Sequence, residues 1–105
     1  MAKTIFITGA SSGFGKLTAE LFAKRGWNVV ATMRNVKDGK DFKKYPHVLV
    51  LKVDVTETND VQKAVTVAIK KFGVIDVLLN NAGYALFGEV QDYSEKDFQK
   101  QIDTN

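Results

Sequence analysis

The chain reads as an α/β protein built on a parallel sheet with helices on both faces. Three observations carry that reading. Short β-branched or aromatic runs alternate with helical stretches in the order strand, helix, strand, loop, strand, helix, strand, helix. Two of the runs, Val48–Val53 and Val74–Leu79, are apolar on both faces, as strands covered by helices on both sides must be. A glycine-rich turn stands between the first strand and the first helix, the place where doubly wound sheets bind ligands. The predicted architecture is therefore a Rossmann-type doubly wound parallel sheet, incomplete at about four strands and three helices. With 105 residues and no internal repeat or linker, residues 1–105 are assigned to one domain.

Each element has its own signal. Lys3–Thr8 is a β-branched and aromatic run ending at Gly9, hence a strand. Gly13–Arg25 reads as a helix with Leu17 and Leu21 four apart, Phe22 beside them and Gly26 as the stop. Trp27–Met33 is the second strand. Asn35–Pro46 is polar, Lys-rich and contains Gly39, so it reads as a loop with room for one helical turn. Val48–Val53 is the third strand. Thr56 is the expected N-cap of a helix whose apolar face is Val61, Val65, Ala68, Ile69 and Phe72, closed by Gly73. Val74–Leu79 is the fourth strand, and Asn80–Gly88 reads as a loop. Ser94 caps a last helix, with Asp97 in capping-box spacing and Phe98 and Ile102 on one side.

Composition narrows the function. With 45% hydrophobic and 26% charged residues, a disordered or low-complexity chain is excluded. The absence of Cys leaves no disulfide scaffold, thiolate zinc site or Cys nucleophile, and the single His47 argues against a Ser-His-Asp triad. No apolar run approaches ~18 residues, and Met1–Lys3 lead straight into a strand, so a cytoplasmic protein without membrane contact is expected. The net charge of +3 is small, and the basic stretch Arg34–Lys44 reads as a solvated surface. No binding to nucleic acid is expected at physiological salt.

The turn Thr8-Gly9-Ala10-Ser11-Ser12-Gly13-Phe14-Gly15 carries the chemistry. A strand feeding such a turn and then a helix N-terminus makes an anion site of free amides and helix dipole. Gly9 permits the tight turn, Gly13 lets a pyrophosphate approach the backbone, and Gly15 lets the helix pack close. Ser11 and Ser12 add hydroxyl donors. The triphosphatase loop G-x-x-x-x-G-K-[ST] fails at both ends, at Ala10 and Leu17, and the spacing is not G-x-G-x-x-G either.

At these residues the sequence resembles the short-chain dehydrogenase/reductase family. Thr8–Gly15 fits the family's T-G-x-x-x-G-x-G position for position. N-N-A-G stands at Asn80-Asn81-Ala82-Gly83, and the strand-ending Asp-Val at Asp54-Val55. The resemblance implies a nicotinamide dinucleotide held at Gly9, Ser11, Ser12, Gly13, Phe14 and Gly15. It implies that Asp54 accepts from the adenine amino group, with the Val55 amide near the ring. It places Asn81, Ala82 and Gly83 by the ribose and gives Asn81 a second task of tying the central strands together. Asn105 falls on the family's relay Asn and is the expected catalytic residue. The catalytic pair Tyr-x-x-x-Lys is absent, since Leu49, Gly88 and Asp97 follow Tyr45, Tyr84 and Tyr93 at that spacing.

The resemblance implies further that the chain holds the cofactor half of an oxidoreductase and is itself inactive, with the fourth strand an open edge. The complete protein is expected to act on a small carbonyl or alcohol substrate of lipophilic character, and to be a homo-oligomer. Tyr84, Leu86 and Phe87 would line a substrate cleft or simply pack. The alternative is a stand-alone dinucleotide-binding or interaction module with no chemistry of its own. The cofactor can be argued physically. An NAD site carries a carboxylate about 20 residues past the glycines for the ribose 2′-OH. Here that position is Met33, followed by Arg34. A guanidinium suits a 2′-phosphate, so NADP is expected, with NAD the alternative.

Overall fold

The computed structural model describes residues 2–81 and the backbone of 87–89. The elements are β1 (Thr4–Thr8), α1 (Gly13–Lys24), β2 (Asn28–Met33), a 3-10 helical segment (Val36–Lys44), β3 (Val48–Lys52), α2 (Thr58–Phe72), β4 (Val77–Asn80) and β5 (Phe87–Glu89). The sheet order is β3-β2-β1-β4-β5. The first four strands are parallel, with Phe6 opposite Val30 on one side and Leu78 on the other.

The sheet is doubly wound, as expected. Because side chains alternate along a strand, β1 feeds two cores. Phe6 joins Val30, Leu78 and the α2 residues Val61, Ala64, Val65 and Ala68 on one face. Ile5 and Ile7 join Val29, Ala31, Leu79, Ala19 of α1 and Phe42 on the other. Every β1 residue is buried, and each large apolar side chain so placed contributes about 1.5–3 kcal/mol relative to exposure. The apolar face expected of α2 is the face it buries.

Several local expectations are corrected. Leu17 and Leu21 do not face the core: they are 69% and 48% exposed. The buried stripe of α1 is Gly15, Thr18 and Ala19, whose small side chains let the helix lie close on the sheet. Thr56 is not the cap of α2. Glu57 holds that place, while the Thr56 amide and hydroxyl donate to Asp54 Oδ1 at 3.0 and 2.6 Å. β3 lies at one edge of the sheet and is only half-buried, less covered than its apolar character on both faces led one to expect. β4 starts at Val77 rather than Val74, and it includes Asn80.

The stretch expected as a loop with room for one helical turn is a 3-10 helix over Val36–Lys44, kinked at Gly39. With about three residues per turn, positions three apart line up. Gly39 and Phe42 are buried, Lys37, Lys40 and Lys43 border one exposed hollow with Val36 and Val50, and Asp38 and Asp41 form a third row. A search for a 3.6-residue repeat does not find this pattern.

The Asn80–Gly88 loop is also corrected at its far end. β5 pairs antiparallel with β4, Val77 opposite Glu89 and Leu79 opposite Phe87, so β4 is not the open edge expected. The helix expected from Ser94, with Asp97, Phe98 and Ile102, lies outside the described residues, as do Tyr84 and Leu86. Among the described residues no helix is long and apolar enough to cross a membrane.

Candidate functional site

The site forms where β1, β2 and β3 end. β1 runs into the turn, and the Ala10 amide donates to the Thr32 carbonyl at 3.0 Å, pinning the turn to β2. Ser12 is the extended N-cap of α1, yet its side chain makes no capping bond, and the first turn of α1 has no acidic residue. The first amides of a helix have no partner within it, so this end is electrostatically suited to an anion. Gly13 has φ +58°, and the space a side chain would fill there is open. At Gly15 the reason for glycine is close approach. A Cβ would collide with the Gly9 carbonyl oxygen and come within 2.7 Å of Asn81 Nδ2.

That crowding reflects a network joining β4 to β1. The buried Thr8 hydroxyl donates to Asn80 Oδ1 at 2.9 Å and accepts from the Asn81 amide at 2.9 Å. Asn81 Nδ2 donates to the Gly9 carbonyl at 3.2 Å. Residues 72 and 73 apart in sequence thus fix the start of the turn. Asn80 is a member that sequence reasoning did not single out as a site residue, although the N-N-A-G signature contains it.

A cleft of about 280 Å³ opens beside the turn, lined by Gly9, Ser11, Met33, Arg34, Asn35, Asp38, Val53 and Val55. This is just under the ~300 Å³ at which pockets for drug-sized ligands begin, enough for part of a dinucleotide. Gly9, Ser11, Arg34 and Val55 were expected at such a site. Met33, Asn35, Asp38 and Val53 were missed. The rule that ligands sit beyond the carboxyl ends of parallel strands points to Met33 and Val53, and the Val53 amide donates to the Met33 carbonyl at 2.8 Å. Asp38 belongs to the 3-10 segment, and Asn35 caps it. Ser12, Gly13, Phe14 and Gly15 form the adjoining helix start.

Asp54 sits between the cleft residues Val53 and Val55. Besides the Thr56 bonds, its Oδ2 lies 3.8 Å from Arg34 Nη2. The hydrogen bonds from Thr56, seconded by the charges of Arg34 and Lys52, hold the Asp54 carboxyl below the usual carboxylate range. Arg34 is 85% exposed. Ala82, Gly83 and Asn105 lie outside the described residues.

Fold and turn together define an α/β protein of the Rossmann type. The sequence comparisons give the particular family. The profile of the short chain dehydrogenases matches residues 3–105, and the chain belongs to that family. It is 41% identical over 101 residues to the 3-ketodihydrosphingosine reductase of Bacteroides thetaiotaomicron, covering 96% of this chain and 36% of that protein. It is 40% identical over 113 residues to Oxidoreductase BOA17 of Botryotinia fuckeliana, covering 100% of this chain and 39% of that one. Its fold matches a crystal structure of the Brucella melitensis 3-ketoacyl-(acyl-carrier-protein) reductase complexed with NADH (TM-score 0.68, 37% identity, 72% of this chain and 32% of that one). The chain therefore spans well under half the length of these relatives.

Proposed function

We propose that this chain is the cofactor-binding part of an NADP(H)-dependent short-chain oxidoreductase. The observation that carries the proposal is the meeting of turn residues Gly9 and Ser11 with Arg34 in one cleft, beside a helix start whose Ser12 side chain makes no capping bond. The residues fit the coenzyme in outline. The amides from Ser11 to Gly15 would take the pyrophosphate, Asp54 and Val55 the adenine, and Asn81, Ala82 and Gly83 the ribose of the nicotinamide side. When bound, the nicotinamide supplies the hydride exchanged with a carbonyl or alcohol carbon. Two relatives named as reductases of keto compounds support a carbonyl substrate. Asn105 is the one residue of the proton relay in these residues. Without a Tyr-x-x-x-Lys pair, the 105-residue chain alone turns over no substrate, and the active protein is a longer, cytoplasmic homo-oligomer.

NADP over NAD rests on Arg34, the first residue past β2. A charge-assisted bond of about 1.5–3 kcal/mol corresponds to roughly a 10–150-fold preference. Asp38 shares the cleft and limits that preference rather than reversing it, because Arg34 stands directly at the strand end. Titration with both dinucleotides tests the reading. NADP is expected to bind tighter, and Arg34→Asp to invert the ranking. Equal affinities, or tighter NAD binding in the unaltered protein, would remove the claim.

A further inference from the structure

Arg34 and Asp54 are coupled, and the coupling runs in one direction. Asp54 is held in place: its Oδ1 accepts two bonds from Thr56, leaving Oδ2 as the neighbour of Arg34 Nη2 at 3.8 Å. Arg34 is held by little else. Its side chain is 85% exposed, and no other ion pair engages it among the described residues. A long exposed side chain loses rotamer freedom when it grips a ligand, and an anchored one has already lost part of it. A guanidinium has five N–H donors, so contact through one Nη leaves the others for a second anion.

We propose that Asp54 is a positioning residue that tethers Arg34 at the cleft mouth for a ribose 2′-phosphate, and so sets the preference between the two dinucleotides. The proposal rests on the NADP reading above, and it adds a role for Asp54 separate from the adenine contact. The two roles differ in what they discriminate. NAD and NADP carry the same adenine, so loss of an adenine contact weakens both equally. Loss of the tether weakens NADP alone. A third possibility has the opposite sign, since direct repulsion between Asp54 and the phosphate would make its removal favour NADP.

The test is Asp54→Asn, which keeps an oxygen to accept from Thr56. Affinities for NADP and NAD are measured by calorimetry in the unaltered protein and in the variant. The expected result is a fall of about two- to five-fold in the NADP:NAD affinity ratio, the range of one exposed ion pair, on top of any equal weakening of both dinucleotides from the adenine contact. High salt should shrink the effect. In an Arg34→Leu background Asp54→Asn should leave the ratio unmoved. An unchanged or increased ratio in the Asp54→Asn protein overturns the proposal. Should that variant not fold, Thr56→Val loosens Asp54 by one bond and must lower the same ratio, and an unmoved ratio there overturns it equally. If the unaltered protein shows no preference for NADP, the cofactor reading itself fails, before any variant is compared.

Discussion

The two walls of the cleft are built differently. The Gly9–Lys16 side is fixed by backbone and side-chain polar bonds: Ala10 to Thr32, Thr8 to Asn80, and Asn81 to Gly9. The Arg34–Lys44 side is a surface segment held by one buried ring, Phe42, by Asn35 accepting from the Lys37 amide at 3.0 Å, and by charge. The 2.7 Å ion pair of Lys16 and Asp41 links the two walls. In the proposed function this difference separates two tasks. A phosphate-binding turn needs fixed amides, which low-dielectric, fully satisfied bonds provide. A wall that selects between coenzymes needs exposed charge, which single substitutions can retune without unfolding the protein.

The largest expected effect falls on the fixed wall. Gly15→Ala places a methyl group against the Gly9 carbonyl and the Asn81 amide. Backbone cannot yield as a side-chain tip does, so the cost should be near the upper end of overpacking, about 3 kcal/mol. For a domain of this size that is more than about 10 °C in Tm, with dinucleotide binding lost. A thermal melt near that of the unaltered protein would break the comparison. Asn81→Ala comes next. It leaves the part-buried Gly9 carbonyl without its donor, and losing a hydrogen bond of that kind costs about 1 kcal/mol. Both dinucleotides should weaken together, because the turn is common to them. A selective loss of NADP here would contradict the assignment of tasks.

The smallest effect belongs to the link between the walls. Lys16 is raised above its ordinary value by the Asp41 hydrogen bond, and Asp41 is lowered by Lys16. A raised Lys stabilises below its unfolded value and loses this as pH rises through the folded one. A lowered Asp stabilises above its unfolded value and loses this as pH falls through the folded one. The pair therefore acts between about 3.8 and 10.5 and lapses outside that window. Asp41→Asn should shift Tm slightly at neutral pH and low salt, and not at all in high salt. A large, salt-independent loss would mean that the 3-10 wall depends on this contact far more than an exposed pair allows.

The same contrast explains what the sequence made legible. The strands, both α-helices and the turn are local patterns, readable from β-branched runs, heptad-like spacing and glycines. The network of Thr8, Asn80, Asn81 and Gly9 was visible only through a signature, because its members meet across the sheet. Leu17 and Leu21 misled because spacing shows a stripe without showing which stripe is buried. Gly15, Thr18 and Ala19 won by being small enough for close contact with the sheet. The 3-10 segment escaped because its repeat is three residues and most of its side chains are charged. Asn35 and Asp38 were missed with it. β5 was missed because a three-residue strand that includes Gly88 carries almost no propensity signal.

In the proposed function the amides opening α1 hold a pyrophosphate. Amide-resolved NMR of the isotope-labelled protein, titrated with NADP and separately with inorganic pyrophosphate, tests it most directly. Both ligands should move the amide resonances from Ser11 to Lys16, and NADP alone should also move those of Arg34 and Val55. Saturating NADP that leaves the Ser11–Lys16 amides in place would rule out a pyrophosphate at this turn.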